Sequence, residues 1–204
     1  MLIPPFRGLI PKTPFRDFKT RGYLRNAFRV KKPEEIKILE NNYFQVNFQP
    51  SLVELRNARD IEYKHIKQTH KNLFRNLYPW AGQDRHQTTP GLDISKNGYE
   101  RMFAPSDLIE SIVRDALKKG QDYDYFREHP GAVMGLLAHA PPFLEGNGRT
   151  IMLVHAELCH RSEFSIDWQN TNKNDYLKAL TSEIYRPDLR ELDQYLRSCL
   201  KRVR

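Results

Sequence analysis

Apolar residues recur at three- and four-residue intervals along most of this chain, a spacing that predicts helices rather than strands. The periodic stretches cover about residues 33–48, 51–57, 60–77, 105–119, 130–140, 148–162, 172–185 and 188–201. Helix-ending residues punctuate them. Gly120 follows the 105–119 stretch, Pro130 takes a tolerated first-turn position, and Pro187 separates the last two. Residues 81–104 lose the helical period and contain Pro90, Gly91 and Gly98, so they read as a loop and a short hairpin. Residues 1–32, with Pro4, Pro5, Pro11 and Pro14, read as an irregular arm. The expectation is a mostly α fold: one helical domain over 33–204 with a small β-hairpin flap at about 92–104, and no internal repeat.

A chain of 204 residues is long enough for one domain with a substantial core. It has no run of about 18 apolar residues, so no membrane span is expected. Its first residues lack the charged start and apolar core of a classical signal peptide. Two cysteines, Cys159 and Cys199, are too few for a disulfide framework and point to a reducing compartment. The net charge of +8 gathers near the start, from Arg7 to Lys32, and at Arg197, Lys201, Arg202 and Arg204. Such a surface suits nucleic acid, an acidic partner or lipid headgroups. No nucleic-acid motif accompanies it, so nucleic acid is not an expected partner; a basic tail can also serve as an export signal.

The chemistry concentrates in Pro142-Phe143-Leu144-Glu145-Gly146-Asn147-Gly148-Arg149-Thr150. Gly146 and Gly148 let the backbone approach a ligand and take positive φ. The apolar run that follows predicts a buried helix, so the loop delivers a ligand to a helix N-terminus, where free N–H groups and the macrodipole favour phosphate. Arg149 adds a forked cation for phosphate oxygens. Glu145 is a hard oxygen donor suited to a magnesium ion shared with those phosphates. Asn147 can orient a phosphate or a metal-bound water. His155 and Cys159 share a helix face at i, i+4, which on an apolar helix reads as core rather than as a metal site.

The stretch Pro141 to Met152 resembles the signature of the Fic (filamentation induced by cyclic AMP) family, within the Fic/Doc superfamily: His-x-Phe-x-(Asp/Glu)-Gly-Asn-Gly-Arg-x-x-Arg. Tyr78-Pro79-Trp80-Ala81-Gly82-Gln83-Asp84-Arg85 is similar to the family's Tyr-Pro-Trp-Ala-Gly segment. Ile94-Ser95-Lys96-Asn97-Gly98 with Phe103-Ala104 resembles its flap hairpin, and Phe164-Ser165-Ile166-Asp167-Trp168 the segment after the motif helix. These follow family order over roughly residues 30–198. The resemblance implies a Fic-type helical domain that transfers a phosphate-containing group, most often AMP from magnesium-bound ATP, to a hydroxyl of a target protein. It places the metal on Glu145, the nucleotide on Gly146, Asn147, Gly148, Arg149 and Thr150, and the target on a flap that includes Ser95, Lys96 and Gly98.

Two motif positions depart from the family. Pro141 stands where the family's base, a histidine, takes the proton from the attacking hydroxyl, and Met152 replaces the second arginine. Proline carries no titratable group. His139, two residues upstream on a helix, is turned about 200° away. The expectation is a bacterial, cytoplasmic protein that binds nucleotide with impaired or absent transfer. It would regulate a Fic paralogue or answer to a small antitoxin. The alternative is an active adenylyltransferase or related phosphotransferase, a toxin or an effector secreted into a host cell, with another base or an engineered Pro141. Some members are restrained by a helix bearing (Ser/Thr)-x-x-x-Glu-(Gly/Asn). Glu40-Asn41 is the nearest match, but Ile36 holds the Ser/Thr position, so no restraint in cis is expected.

Overall fold

The structure, a computed structural model, describes residues 23–92, 94 and 102–203. It is mostly helical. Helix α1 runs Pro33–Asn57, α2 Tyr63–Phe74, α3 Arg85–Thr88, α4 Ile109–Gly120, α5 Tyr123–Glu128, α6 Pro130–His139 and α7 Asn147–Arg161. Strand β1, Phe164–Ile166, follows. The chain ends with α8, Lys173–Tyr185, α9, Glu191–Arg197, and β2, Leu200–Arg202.

Helix α6 is the axis of the fold. Its residues from Pro130 to Gly135, and Leu137, are buried, and it packs against α4, α7, α8 and α9. A helix this apolar on all sides belongs in the interior. Its N-terminus is capped from outside, because Asp193 on α9 accepts from the Gly131 and Ala132 N–H groups at 2.6 and 3.0 Å. Gly131 makes that approach possible: a Cβ there would lie 2.3 Å from the Asp193 nitrogen. Helix α6 therefore leaves its C-terminus, at His139, aimed into the motif loop.

The helix expectations hold with informative exceptions. The stretches 33–48 and 51–57 form one helix, α1, despite Pro50. Proline removes an intrahelical bond, but the Ser51 hydroxyl bonds the Asn47 carbonyl at 2.7 Å across the gap. Leu55 beyond Pro50 is as firmly buried as Ile36 before it, so packing on both sides carries the helix through. Helix α5 fills a stretch with no expected element; Asp122 caps it by accepting from Tyr125 N–H at 3.0 Å. The short helix α3 lies inside the expected loop and hairpin segment.

The expected helix over 188–201 ends instead at Arg197, and Leu200–Arg202 pairs antiparallel with β1 in the register Phe164↔Arg202, Ser165↔Lys201, Ile166↔Leu200. This small sheet is not the expected flap. Most of the flap, including Ser95, Lys96 and Gly98, lies outside the described residues. Of the irregular N-terminal arm, residues 23–32 are described and are packed, not loose. Tyr23, Leu24 and Val30 lie against the core, and Asn26 bonds the backbone of Leu24 and Val30.

Candidate nucleotide-binding site

The motif loop joins α6 to α7. Gly146 is the N-cap of α7, at φ 79°. A Cβ there would come within 2.6 Å of the Phe74 ring and 3.1 Å of His70 Nε2, so glycine is required on two grounds. Gly148 departs from expectation. It is helical, without positive φ, and a Cβ on it would meet nothing within 4 Å. The first turn of α7 is uncrowded at this position. The first bond of that turn is Thr150 N–H to the Gly146 carbonyl, at 3.1 Å. The N–H groups of Asn147, Gly148 and Arg149 thus have no intrahelical partner and form the anion-attracting end of the helix.

The side chains divide into those that build the loop and those that face outward. Asn147 is a staple: its Oδ1 accepts from Phe143 N–H at 2.8 Å and its Nδ2 donates to the Phe143 carbonyl at 2.7 Å. Thr150 is fully buried and its hydroxyl donates to the Gly146 carbonyl at 3.0 Å. Both side chains brace the loop, and the Asn147 backbone N–H remains for a ligand. Glu145 is half exposed and its Oε1 accepts from Gly146 N–H at 2.9 Å. Desolvation first, and the neighbouring Glu40 carboxylate, push its pKa up.

Arg149 is engaged. Its Nη2 lies 2.8 Å from the Glu40 carboxylate and 3.9 Å from that of Glu145, and its guanidinium sits 4.9 Å over the Phe74 ring. Glu40, on α1, is buried and also accepts from the Tyr78 hydroxyl of the Tyr-Pro-Trp-Ala-Gly segment. The Ile36 departure does not keep this carboxylate from the motif arginine, contrary to the sequence expectation; Ile36 is buried in the core and simply packs.

Under the loop lies His70, which the sequence reading missed. Its Nδ1 accepts from Gly82 N–H at 2.9 Å and its Nε2 donates to the Glu145 carbonyl at 3.0 Å, which fixes the neutral tautomer. The ring stacks on Phe143 at 3.7 Å. Burial, with Arg149 nearby, lowers its pKa to about 3. A signal existed: His70 interrupts the apolar stripe Tyr63, Ile66, Leu73 and Phe74 on one face of α2, and it is as deeply buried as they are.

Pro141 is buried, and its carbonyl accepts from Arg85 Nε at 2.9 Å. His139 Nδ1 donates to the Met102 carbonyl at 2.8 Å, which makes Nε2 the unprotonated nitrogen of the neutral ring. Met152 is half-buried against the core. His155 and Cys159 are core, as expected: His155 Nε2 donates to the Pro130 carbonyl at 2.8 Å, and Cys159 Sγ lies 3.4 Å from the other ring nitrogen. Both cysteines are free thiols. Among the described residues no three His, Cys, Asp or Glu side chains converge, so a metal here would rest on Glu145 together with ligand oxygens. None of their helices is long and apolar enough to cross a membrane.

A family model described as Fic/DOC matches residues 60–159, which span α2, the motif loop and nearly all of α7. These residues belong to the Fic/DOC family. Solved Fic structures from bacterial effectors share the fold. The BepC protein of Bartonella tribocorum, with bound AMPPNP, superposes with a TM-score of 0.71 at 20% identity, covering 89% of this chain and 93% of that one. An N-terminal Fic domain with bound ADP from Bartonella quintana gives 0.72 at 18% identity, covering 92% and 94%. In sequence, the chain is 26% identical over 180 residues to protein adenylyltransferase VbhT of Bartonella schoenbuchensis, over 84% of its own length. It spans only 36% of that relative. It is also 24% identical to a Sinorhizobium fredii protein named "probable protein adenylyltransferase y4lH", covering 77% of this chain and 81% of that one. The relatives are thus named protein adenylyltransferases, and the Fic domain described above is the part shared with them.

Proposed function

We propose that this Fic protein binds magnesium–ATP at the α7 N-terminus and transfers AMP slowly or not at all, acting through binding rather than turnover. The observation that carries the reading is position 141. A buried proline, held by its carbonyl, sits beside an otherwise assembled phosphate loop, where the family's proton acceptor would stand. Ground-state binding does not need that base, whereas loss of a positioned base costs about 10²–10⁴-fold in rate.

Binding would use the free N–H groups of the first α7 turn, with the open side at Gly148 admitting phosphate. Arg149 would meet phosphate oxygens after exchanging Glu40 for them. Glu145 fits a magnesium ion, being a half-exposed carboxylate beside the α7 N-terminus. Glu145 would hold the metal, which would supply positive charge against the phosphates. Ser95, Lys96 and Gly98 remain the candidates for target contact. A regulatory role towards an active paralogue, or control by a small antitoxin, follows from the same reading, in the bacterial cytoplasm or after export to a host.

Calorimetry with magnesium–ATP tests the binding, and α-labelled ATP with lysate tests the transfer. The expectation is binding that weakens in Arg149→Ala and Glu145→Ala, with labelling that emerges only in Pro141→His. No detectable binding at millimolar ATP, or equal labelling by the natural chain and the histidine variant, refutes the reading.

A further inference from the structure

Arg85 is fully buried, an uncommon place for a guanidinium. Its donors converge on backbone carbonyls from separate parts of the chain. Nε bonds Pro141 O at 2.9 Å, Nη2 bonds Ala104 O at 2.9 Å, and Nη1 reaches Leu92 O at 3.3 Å. Its own backbone N–H bonds Pro142 O at 2.7 Å. A second pair of bonds ties the same regions together from the other side of position 141. Ala104 N–H donates to the His139 carbonyl at 2.8 Å, and the His139 ring donates to Met102 O at 2.8 Å.

We propose that Arg85 is a positioning residue for position 141: its guanidinium sets that residue against Leu92 and Ala104, independently of the rest of the phosphate loop. The independence follows from where each bond ends. Arg85 grips the first residues of the loop, 141 and 142. The rest of the loop, which leads into α7, is held by Asn147 on Phe143 and by His70 on the Glu145 carbonyl. A flat, forked cation is needed because the carbonyls approach it from different directions. A lysine keeps the charge but presents one flexible ammonium that cannot hold all of them in fixed geometry.

The proposal rests on reading position 141 as the base position, so the test has one arm that needs that reading and one that does not. The first is hydrogen exchange on the full chain, comparing Arg85→Lys with the natural protein. The amides that bond the carbonyls on either side of position 141, residue 85 on Pro142 O and Ala104 on His139 O, should exchange about tenfold faster, with α2 and α7 unchanged. No change at the two amides, or a uniform rise through the helices, overturns the proposal. The second arm places Arg85→Lys in the Pro141→His background. There kcat for label transfer should fall about tenfold or more while the KM for magnesium–ATP stays within about threefold, since a small misplacement of a base costs rate rather than nucleotide binding. A parallel loss of both makes Arg85 merely structural and overturns the proposal. If Pro141→His transfers nothing, the base reading fails, and the exchange arm alone decides whether Arg85 sets position 141.

Discussion

Arg149 and Glu40 are 109 positions apart in sequence, yet Nη2 of the first lies 2.8 Å from a carboxylate oxygen of the second. The pair is mostly withdrawn from water: the arginine side chain is 22% exposed and the glutamate 7%. Tyr78 anchors the glutamate from the other side, so the carboxylate is held in place before any ligand arrives. On the proposed function, nucleotide phosphates and Glu40 would be rivals for one cation.

Glu40→Gln should tighten magnesium–ATP binding. It keeps an acceptor for Tyr78 and removes the competing charge. Hydrogen bonds to charged groups contribute about 1.5–3 kcal/mol, so a gain of roughly tenfold to a hundredfold is expected by calorimetry. Unchanged affinity would mean that Arg149 does not contact the phosphates.

The two motif glycines should respond in opposite ways. Gly146→Ala meets both a left-handed φ of 79° and the Phe74 ring at 2.6 Å, so thermal unfolding should show a loss of about 1–3 kcal/mol and weaker nucleotide binding. Gly148→Ala adds a methyl in open space on a helix, so it should gain up to about 1 kcal/mol of stability. It should nevertheless weaken ATP binding if phosphate passes over that surface. A stable variant with intact affinity would move the ligand elsewhere.

Acid should weaken the fold through His70. Its pKa of about 3 lies below the ordinary value of 6.5, so between these values the unfolded chain binds the extra proton and the folded chain does not. Stability present above about pH 6.5 is then lost as pH falls towards 3. His155, lowered to about 4, acts in the same direction. Denaturant titrations across this range should show a shallower acid slope for His70→Gln than for the natural chain, together with lower stability at pH 7. Identical slopes would show that His70 is not the group responsible.

Pro141→His should raise transfer by about 10²–10⁴-fold, measured as labelling from α-labelled ATP, since an imidazole with a pKa near about 6.5 is suited to the task. Adding Glu40→Gln to it should raise the rate further at low ATP, because the two changes act on different steps. A double variant no faster than Pro141→His at low ATP would separate Glu40 from nucleotide binding.

The sequence alone determined the helical class, most helix positions, the motif loop and the absence of a titratable group at residue 141. Those properties are local: periodicity, glycine and proline placement, and residue chemistry at fixed spacing. It also marked Glu40, yet gave no means of deciding whether that carboxylate reaches Arg149, because the answer depends on how α1 packs across α7. The same limit hid the strand at Leu200–Arg202, whose partner is β1 far upstream, and the continuity of α1 through Pro50. It named Asn147 and Thr150 but gave no sign that their side chains also bond the backbone of Phe143 and Gly146. Arg85 and His70 carried no motif role at all. Each works by bonding backbone atoms distant in sequence, and main-chain carbonyls look alike at every position until folding brings particular ones within reach.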